Sequence, residues 1–248
     1  MIKVLVHGSN GKMGGHVREQ LKKSEDMELI CGVDHVSTGC EDYPYFQSFD
    51  EVTCTPDIII DFSFHTLVKG VLEYAMKVEK PVVIATTALD DSDKALVAKA
   101  SQKIPVFLAS NMSIGIALLC DFAKKAAEAF PDADIEIVEA HHNRKVDAPS
   151  GTAIMLANSI KEVRPEAEYA YGRSGESKRT KNEIGIHALR MANIVGEHEV
   201  YITTDSQQIV LRHNAYDRGL FADGAIKAAR FLAKQEKGLY SMHHMFRR

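Results

Sequence analysis

Ile2-Lys3-Val4-Leu5-Val6-His7-Gly8-Ser9-Asn10-Gly11-Lys12-Met13-Gly14 is a short apolar run followed at once by three glycines at G-x-x-G-x-x-G spacing. Val17 and Leu21 then recur at helical spacing. A strand, a glycine-rich turn and a helix, in that order, form the context in which a backbone approaches a pyrophosphate and the helix N-terminus faces its charge. The commoner pattern is G-x-G-x-x-G, and a glycine-rich turn with no ligand is the plain alternative. The next apolar run, Glu28 to Val33, ends in Asp34, twenty residues beyond Gly14, where a carboxylate accepts from the adenosine ribose hydroxyls. Asp34 repels the extra phosphate of NADPH, while Lys12 and His35 offset part of that repulsion. The cofactor expected is therefore NADH or NADPH, with NADH slightly favoured.

Three more apolar runs follow, Asp57 to Phe62, Pro81 to Ala85 and Pro105 to Ala109, separated by helix-like segments over 66–79 and 91–103. Repeated βα units predict an α/β fold with a doubly wound parallel Rossmann-type sheet. Ligands of such sheets lie beyond the carboxyl ends of the strands, which nominates Phe62-Ser63, Thr86-Thr87 and Ser110-Asn111-Met112. After Asn111 the pattern changes to one long helix over 114–130 and then to strands over 183–190, 197–204 and 207–214, the last two joined by a hairpin turn at Asp205-Ser206. This is a second, α+β domain with a largely antiparallel sheet. Residues 1–112 and 217–248 are expected to form the dinucleotide-binding domain, with a final helix over 218–234, and residues 113–216 a substrate-binding and oligomerisation domain. Gly172 to Lys181 is polar and reads as a mobile surface loop.

Between the long helix and these strands lies Glu139-Ala140-His141-His142-Asn143-Arg144-Lys145-Val146-Asp147-Ala148-Pro149-Ser150-Gly151-Thr152-Ala153. The alternating run before it predicts a strand, so His141 and His142 should sit on the loop leaving that strand. Ser150 is a natural N-cap, and the amides of Gly151 and Thr152 then open a helix running to Ile160. Backbone amides at a helix start, with Lys145 and Arg144 nearby, make an anion site, and an imidazole beside it titrates in the range useful for proton donation. Ordinary solvated basic residues are the bland alternative. Adjacent histidines on an extended chain point apart and no cysteine lies close, so a metal is not expected.

The bulk composition narrows the classes. A chain of 248 residues that is 45% apolar can bury a substantial core. With no apolar run near 20 residues and no signal-like start, a cytoplasmic protein with no membrane contact is expected. Acids outnumber Lys and Arg, the net charge is −4, and no basic-aromatic stripe occurs, so nucleic acid is not an expected partner. Cys31, Cys40, Cys54 and Cys120 lack C-x-x-C spacing and read as reduced thiols, and the basic ending from His243 to Arg248 reads as solvated.

The run E-A-H-H-x-x-K-x-D-A-P-S-G-T-A over 139–153 resembles the signature of the dihydrodipicolinate reductase family. The resemblance extends to Gly8–Gly14, Asp61-Phe62-Ser63, Thr86-Thr87, Ala109-Ser110-Asn111, 194–198, and Arg218 with Phe221, Ala222, Gly224 and Ala225. It implies reduction of 4-hydroxy-tetrahydrodipicolinate, a small cyclic dicarboxylate, by NAD(P)H in lysine and diaminopimelate biosynthesis, and a homotetramer paired through the second sheet. Carried over by position, His141 is the proton donor and Lys145 the second catalytic residue. His142, Ser150, Gly151 and Thr152 bind substrate. Gly8, Ser9, Asn10, Gly11, Lys12, Met13, Asp34, Ala85, Thr86, Thr87, Ala109, Ser110, Asn111, Met112 and Arg218 line the cofactor. This chain departs from the family in reading Ala85-Thr86-Thr87-Ala88 for G-T-T-G, Phe64 where a proline is common, and Arg190-Met191-Ala192 for R-x-G. Each alanine adds a Cβ where a close approach or positive φ is at stake. The alternatives are another NAD(P)-dependent oxidoreductase of a small dicarboxylate and an inactive nucleotide-binding regulator.

Overall fold

A computed structural model describes residues 1–36 and 42–246. Cys40, Arg247 and Arg248 lie outside the described residues. In chain order the elements are β1 (Ile2–His7), α1 (Lys12–Lys22), β2 (Met27–Val33), β3 (Tyr45–Phe46), β4 (Ile58–Asp61), α2 (Val68–Val78), β5 (Val82–Ile84), α3 (Asp91–Ser101), β6 (Pro105–Leu108) and α4 (Ile114–Ala129). They continue with β7 (Asp134–His141), α5 (Gly151–Lys161), β8 (Glu168–Tyr171), β9 (Glu183–Arg190), β10 (Gly196–Thr203), β11 (Gln208–Ala215), α6 (Gly219–Leu232) and β12 (Gly238–Tyr240). The chain divides into two units, Met1–Ser113 with Arg218–Arg248, and Ile114–Asp217.

The first unit is a seven-stranded sheet in the order β12-β6-β5-β4-β1-β2-β3, and every pairing in it is parallel. Strands covered on both faces read as unbroken apolar runs, which is why Val4, Leu5 and Val6 are all fully buried. On one face α2 and α3 pack Val71, Leu72, Ala75, Val97 and Ala100 against Leu5, Ile59, Val82 and Ile84. The chain winds from β1 toward β3, then returns to lay β4 against the other edge of β1. The strand order therefore reverses between β1 and β4, and that is where doubly wound sheets bind ligands. One sequence expectation changes: Cys31 on β2 is joined by a disulfide to Cys54, two residues that their spacing of 23 gave no reason to pair, and Cys120 is a buried free thiol.

The second unit is a five-stranded sheet in the order β11-β10-β7-β9-β8. It is mixed rather than largely antiparallel: β10 runs antiparallel to β7 and β11, whereas β9 runs parallel to β7 and β8. Helix α5 returns the chain after β7, so the strand that follows points the same way as β7; that strand, β8, is four residues long and has no period to read. The segment expected as a mobile loop is tied down, because Arg179 bonds the Asp134 carboxylate at 2.7 Å and the Ile135 carbonyl at 3.0 Å. One face of this sheet packs Ile135, Ile137, Ile184, Ile186, Val200 and Ile202 against Leu156 and Ile160 of α5 and Ala123 of α4. Fully burying each such branched side chain contributes about 1.5–3 kcal/mol.

Candidate active site

Inward positions of β7 alternate Ile135, Ile137, Glu139, His141, so a carboxylate and an imidazole enter the helix-covered face at the strand's carboxyl end. His141 is the last residue of β7, and only His142 lies beyond it. Glu139 is completely buried. Its Oε2 meets His141 Nδ1 at 2.6 Å and accepts from Arg190 at 2.9 Å, while its Oε1 accepts from Arg190 at 2.9 Å and from the Ser150 backbone N–H at 3.0 Å. Arg190, at the end of β9, thus clamps Glu139 with two parallel bonds, a pairing that suits the planar guanidinium. Burial alone raises the Glu139 pKa, but the bonds from His141, Arg190 and Ser150 and the nearby positive charge outweigh it and hold the carboxyl at about 2.

The same carboxylate fixes the start of α5. Ser150 is the N-cap, its Oγ accepting from the Ala153 N–H at 3.2 Å. That Oγ also lies 3.1 Å from His198 Nε2. His198 is neutral at neutral pH. Burial first, and the neighbouring His141 second, push its pKa down to about 3. The rings of His141 and His198 meet edge to face, with centroids 5.2 Å apart. Gly196 leaves room at the working end of His141, because a Cβ there would sit 3.1 Å from Nε2. A Cβ at Gly151 would meet nothing within 4 Å, so the first turn of α5 opens onto space. Lys145 turns back over His142, its N–H donating to the His142 carbonyl, and its ammonium contacts Asp147 at 2.8 Å. The bond from Lys145 holds the Asp147 carboxyl below its usual range.

The other group of nominated residues gathers at the carboxyl ends of the parallel strands of the first unit. Gly8 has φ +76° and lies against the loop after β4, where a Cβ would be 2.6 Å from the Phe62 carbonyl oxygen. Gly14 is equally constrained, since a Cβ would collide with the Gly8 carbonyl. Gly11 precedes α1, which starts at Lys12 and Met13 with no side-chain cap and no acid in its first turn. Such an uncapped N-terminus suits an anionic pyrophosphate. Ser9 is fully buried, and Asn10 donates its backbone N–H to Asp34 Oδ2 at 2.9 Å. Asp34 therefore stands beside the glycine loop as a dinucleotide site requires. Tyr43, which the sequence did not nominate, donates its hydroxyl to Asn10 Oδ1 at 2.6 Å and lies under the Arg18 guanidinium.

Ala85 and Thr86 are buried at the end of β5, and Thr87 is exposed. Ala109 follows β6 and donates its N–H to the Ile84 carbonyl; Ser110 is exposed, Asn111 accepts from the Ser113 N–H at 2.8 Å, and Met112 is buried. Arg218 precedes α6 and makes no side-chain cap bond. Of the departures from the family pattern, Ala88 and Ala192 sit at φ +60° and +42°, the left-handed region where glycine is at ease, whereas Ala85 is not among the positive-φ residues. Residues 2–112 match the family described as dihydrodipicolinate reductase, N-terminus, and residues 115–246 its C-terminus.

The chain belongs to the dihydrodipicolinate reductase family. Its curated relatives include the 4-hydroxy-tetrahydrodipicolinate reductases of Caldanaerobacter subterraneus subsp. tengcongensis, 44% identical with 100% of this chain and 99% of the relative covered, and of Clostridium tetani, 43% identical with 99% and 97% covered. Among solved structures, a dipicolinate-bound dihydrodipicolinate reductase from Paenisporosarcina sp. TG-14 superposes with a TM-score of 0.81 at 29% identity, covering 97% of each chain. Membership makes the chain an NAD(P)H-dependent reductase of the lysine and diaminopimelate route. Reading residues by type missed Arg190 and His198, and took Glu139 only as the first letter of a motif. The available signal was phase: Glu139 shares its inward face of β7 with Ile135 and Ile137, and His198 its inward face of β10 with Val200 and Ile202, and a polar group there needs a partner.

Proposed function

We propose that the chain reduces 4-hydroxy-tetrahydrodipicolinate to tetrahydrodipicolinate, with His141 as proton donor and the start of α5 as the seat of a substrate carboxylate. The observation that supports this best is that one buried carboxylate, Glu139, holds both the His141 ring and the Ser150 N–H. In the net reaction the substrate gains a hydride and a proton and loses its hydroxyl as water. Bound NAD(P)H supplies the hydride. The protein's part is placement and charge. Because Nδ1 of His141 faces Glu139, Nε2 is the atom that gives the proton, and the Glu139 carboxylate fixes the ring in that orientation. Gly151, Thr152, Ser150 and His142 receive one carboxylate at a helix N-terminus, and Lys145 receives the other charge by exchanging Asp147, whose side chain is 59% exposed, for substrate.

Gly8 to Met13, Asp34, Ala85 to Thr87, Ala109 to Met112 and Arg218 hold the cofactor in this reading, making residues 1–112 with 217–248 the dinucleotide-binding part and 113–216 the substrate part. The Asp34 carboxylate supports a modest preference for NADH. The face of the second sheet turned away from its helices carries Leu189 and Val210, each nearly half exposed, among Glu197, Glu199 and Arg212, which supports assembly of a homotetramer through that sheet. No helix among the described residues is long and apolar enough to cross a membrane; a cytoplasmic location is part of the proposal.

The test is oxidation of NADH and NADPH by the purified protein, with substrate generated in the assay by its upstream synthase, for wild type, His141→Ala and Lys145→Ala. Both variants are expected to lose about 10²–10⁴-fold in turnover with cofactor affinity kept. Wild-type turnover in either would remove that residue from the mechanism.

A further inference from the structure

A second buried carboxylate, in the first unit, is not used by the mechanism above. Asp61 ends β4 and is fully buried. Its Oδ1 lies 2.7 Å from His7 Nδ1 and accepts from the Ser63 hydroxyl at 2.6 Å, while its Oδ2 accepts from the Thr86 hydroxyl at 2.6 Å. The three donors come from three different places: His7 ends β1 immediately before Gly8, Ser63 lies in the loop after β4, and Thr86 follows β5. The backbone adds to the same knot, with Phe62 N–H donating to the His7 carbonyl at 3.1 Å and Ala85 N–H to the Asp61 carbonyl at 2.9 Å. Phe49 packs at 4.8 Å against the His7 ring, fixing it from the other side.

We infer that Asp61 is the positioning residue of the cofactor site. A carboxylate stripped of water is tolerated only when its lone pairs are filled, so its donors cannot drift independently. Sharing one carboxylate sets the glycine loop, the Phe62-Ser63 turn and the Ala85-Thr86-Thr87 turn in a single arrangement at the point where the strand order reverses. In that arrangement Gly8 lies so close to the Phe62 carbonyl that a Cβ would be 2.6 Å from its oxygen. It also commits the Thr86 hydroxyl hydrogen to Asp61, so Thr86 meets a ligand through its backbone or as a hydroxyl acceptor. The sequence gives a hint of this in the acid that ends the apolar run Ile58-Ile59-Ile60.

The inference rests on the assignment of this edge to the dinucleotide, and the test separates the two. NADH and NADPH dissociation constants, kcat and KM are measured for wild type, Asp61→Asn, Thr86→Val and the double variant. Wild type that binds neither nucleotide removes the assignment itself. With wild type binding, Asp61→Asn is expected to weaken nucleotide binding tenfold or more and to raise KM for the nucleotide by more than it lowers kcat. The double variant should be no worse than Asp61→Asn alone, because Thr86 acts through Asp61. Wild-type affinity in Asp61→Asn, or losses that simply multiply in the double variant, would overturn the inference. Should Asp61→Asn fail to fold, Ser63→Ala and Thr86→Val each withdraw one donor and leave the carboxylate. Each is then expected to raise the dissociation constant at least threefold, and wild-type affinity in both would be the overturning result.

Discussion

Replacing Glu139 by Gln changes one atom and leaves the volume nearly unaltered, which makes it the sharpest probe of the second unit. Both carboxylate oxygens are met only by donors: His141 and Arg190 at Oε2, Ser150 and Arg190 at Oε1. The Gln amide must place its NH₂ at one of these positions. Facing His141, it pushes the proton off Nδ1 and leaves a neutral ring, whose Nε2–H is a far weaker acid than an imidazolium. Facing Ser150, it opposes the amide that opens α5. Either arrangement strands a buried donor, at about 1–3 kcal/mol. Removing one partner of a buried ion pair costs about 3–5 kcal/mol, and the lower end applies here because Arg190 keeps 19% of its side chain in water. The carboxyl's fall from 4.5 to about 2 agrees in size, corresponding to about 3 kcal/mol of native-state stabilisation above pH 4.5. The expected outcome is a fall in kcat of about 10²–10⁴-fold with NADH affinity within about twofold of wild type. The assay is nucleotide absorbance from about pH 5.5 to 9 with synthase-generated substrate. A variant that melts earlier yet keeps kcat within about fivefold would show Glu139 to be structural and the reasoning wrong.

Acid should lower the chain's stability over two successive pH ranges. The His198 pKa is depressed to about 3, so below pH 6.5 the unfolded state takes up a proton that the native state refuses, and stability falls by about 1.4 kcal/mol per pH unit. His213, depressed by burial, acts in the same sense. Below pH 4.5 Glu139 joins, and its stabilisation is lost as pH falls through about 2. Urea unfolding across this range should show a shallower slope between pH 6.5 and 4.5 in His198→Gln, and an unchanged slope would contradict the assignment. Ala88→Gly and Ala192→Gly should each raise stability by about 0.5–1 kcal/mol, since relief of the left-handed strain exceeds the added freedom of the unfolded chain. A lowered melting temperature in both would mean that the strain is absorbed elsewhere.

The parallel strands β1, β2, β4, β5 and β6 were legible because burial on both faces leaves them as unbroken apolar runs, and the first helix was legible from its period; β3 and β12, two and three residues long, were not. The hairpin β10–β11 showed itself by alternation and by Asp205-Ser206. The Ser150 cap was readable because capping is a matter of four consecutive residues. The strand β8 was not, since Glu168-Tyr169-Ala170-Tyr171 is too short to carry a period and takes its direction from α5. The disulfide between Cys31 and Cys54 was missed because nothing local brings those two sulfurs together.

By itself the sequence determined the βα order, the glycine loop before α1, the histidine pair at the end of a strand and the helix start beyond it, because each depends on neighbours within a few residues. It also carried the family, through the long run over 139–153. Only the tertiary structure decided which charges meet. Glu139 and Arg190 are 51 residues apart, Ser150 and His198 48, and His7 and Asp61 54. Those pairings are set by strand register across two sheets, where β7 lies beside β9 and β10, and β1 beside β4. A buried carboxylate needs partners whatever their distance along the chain, and only folding brings them within reach.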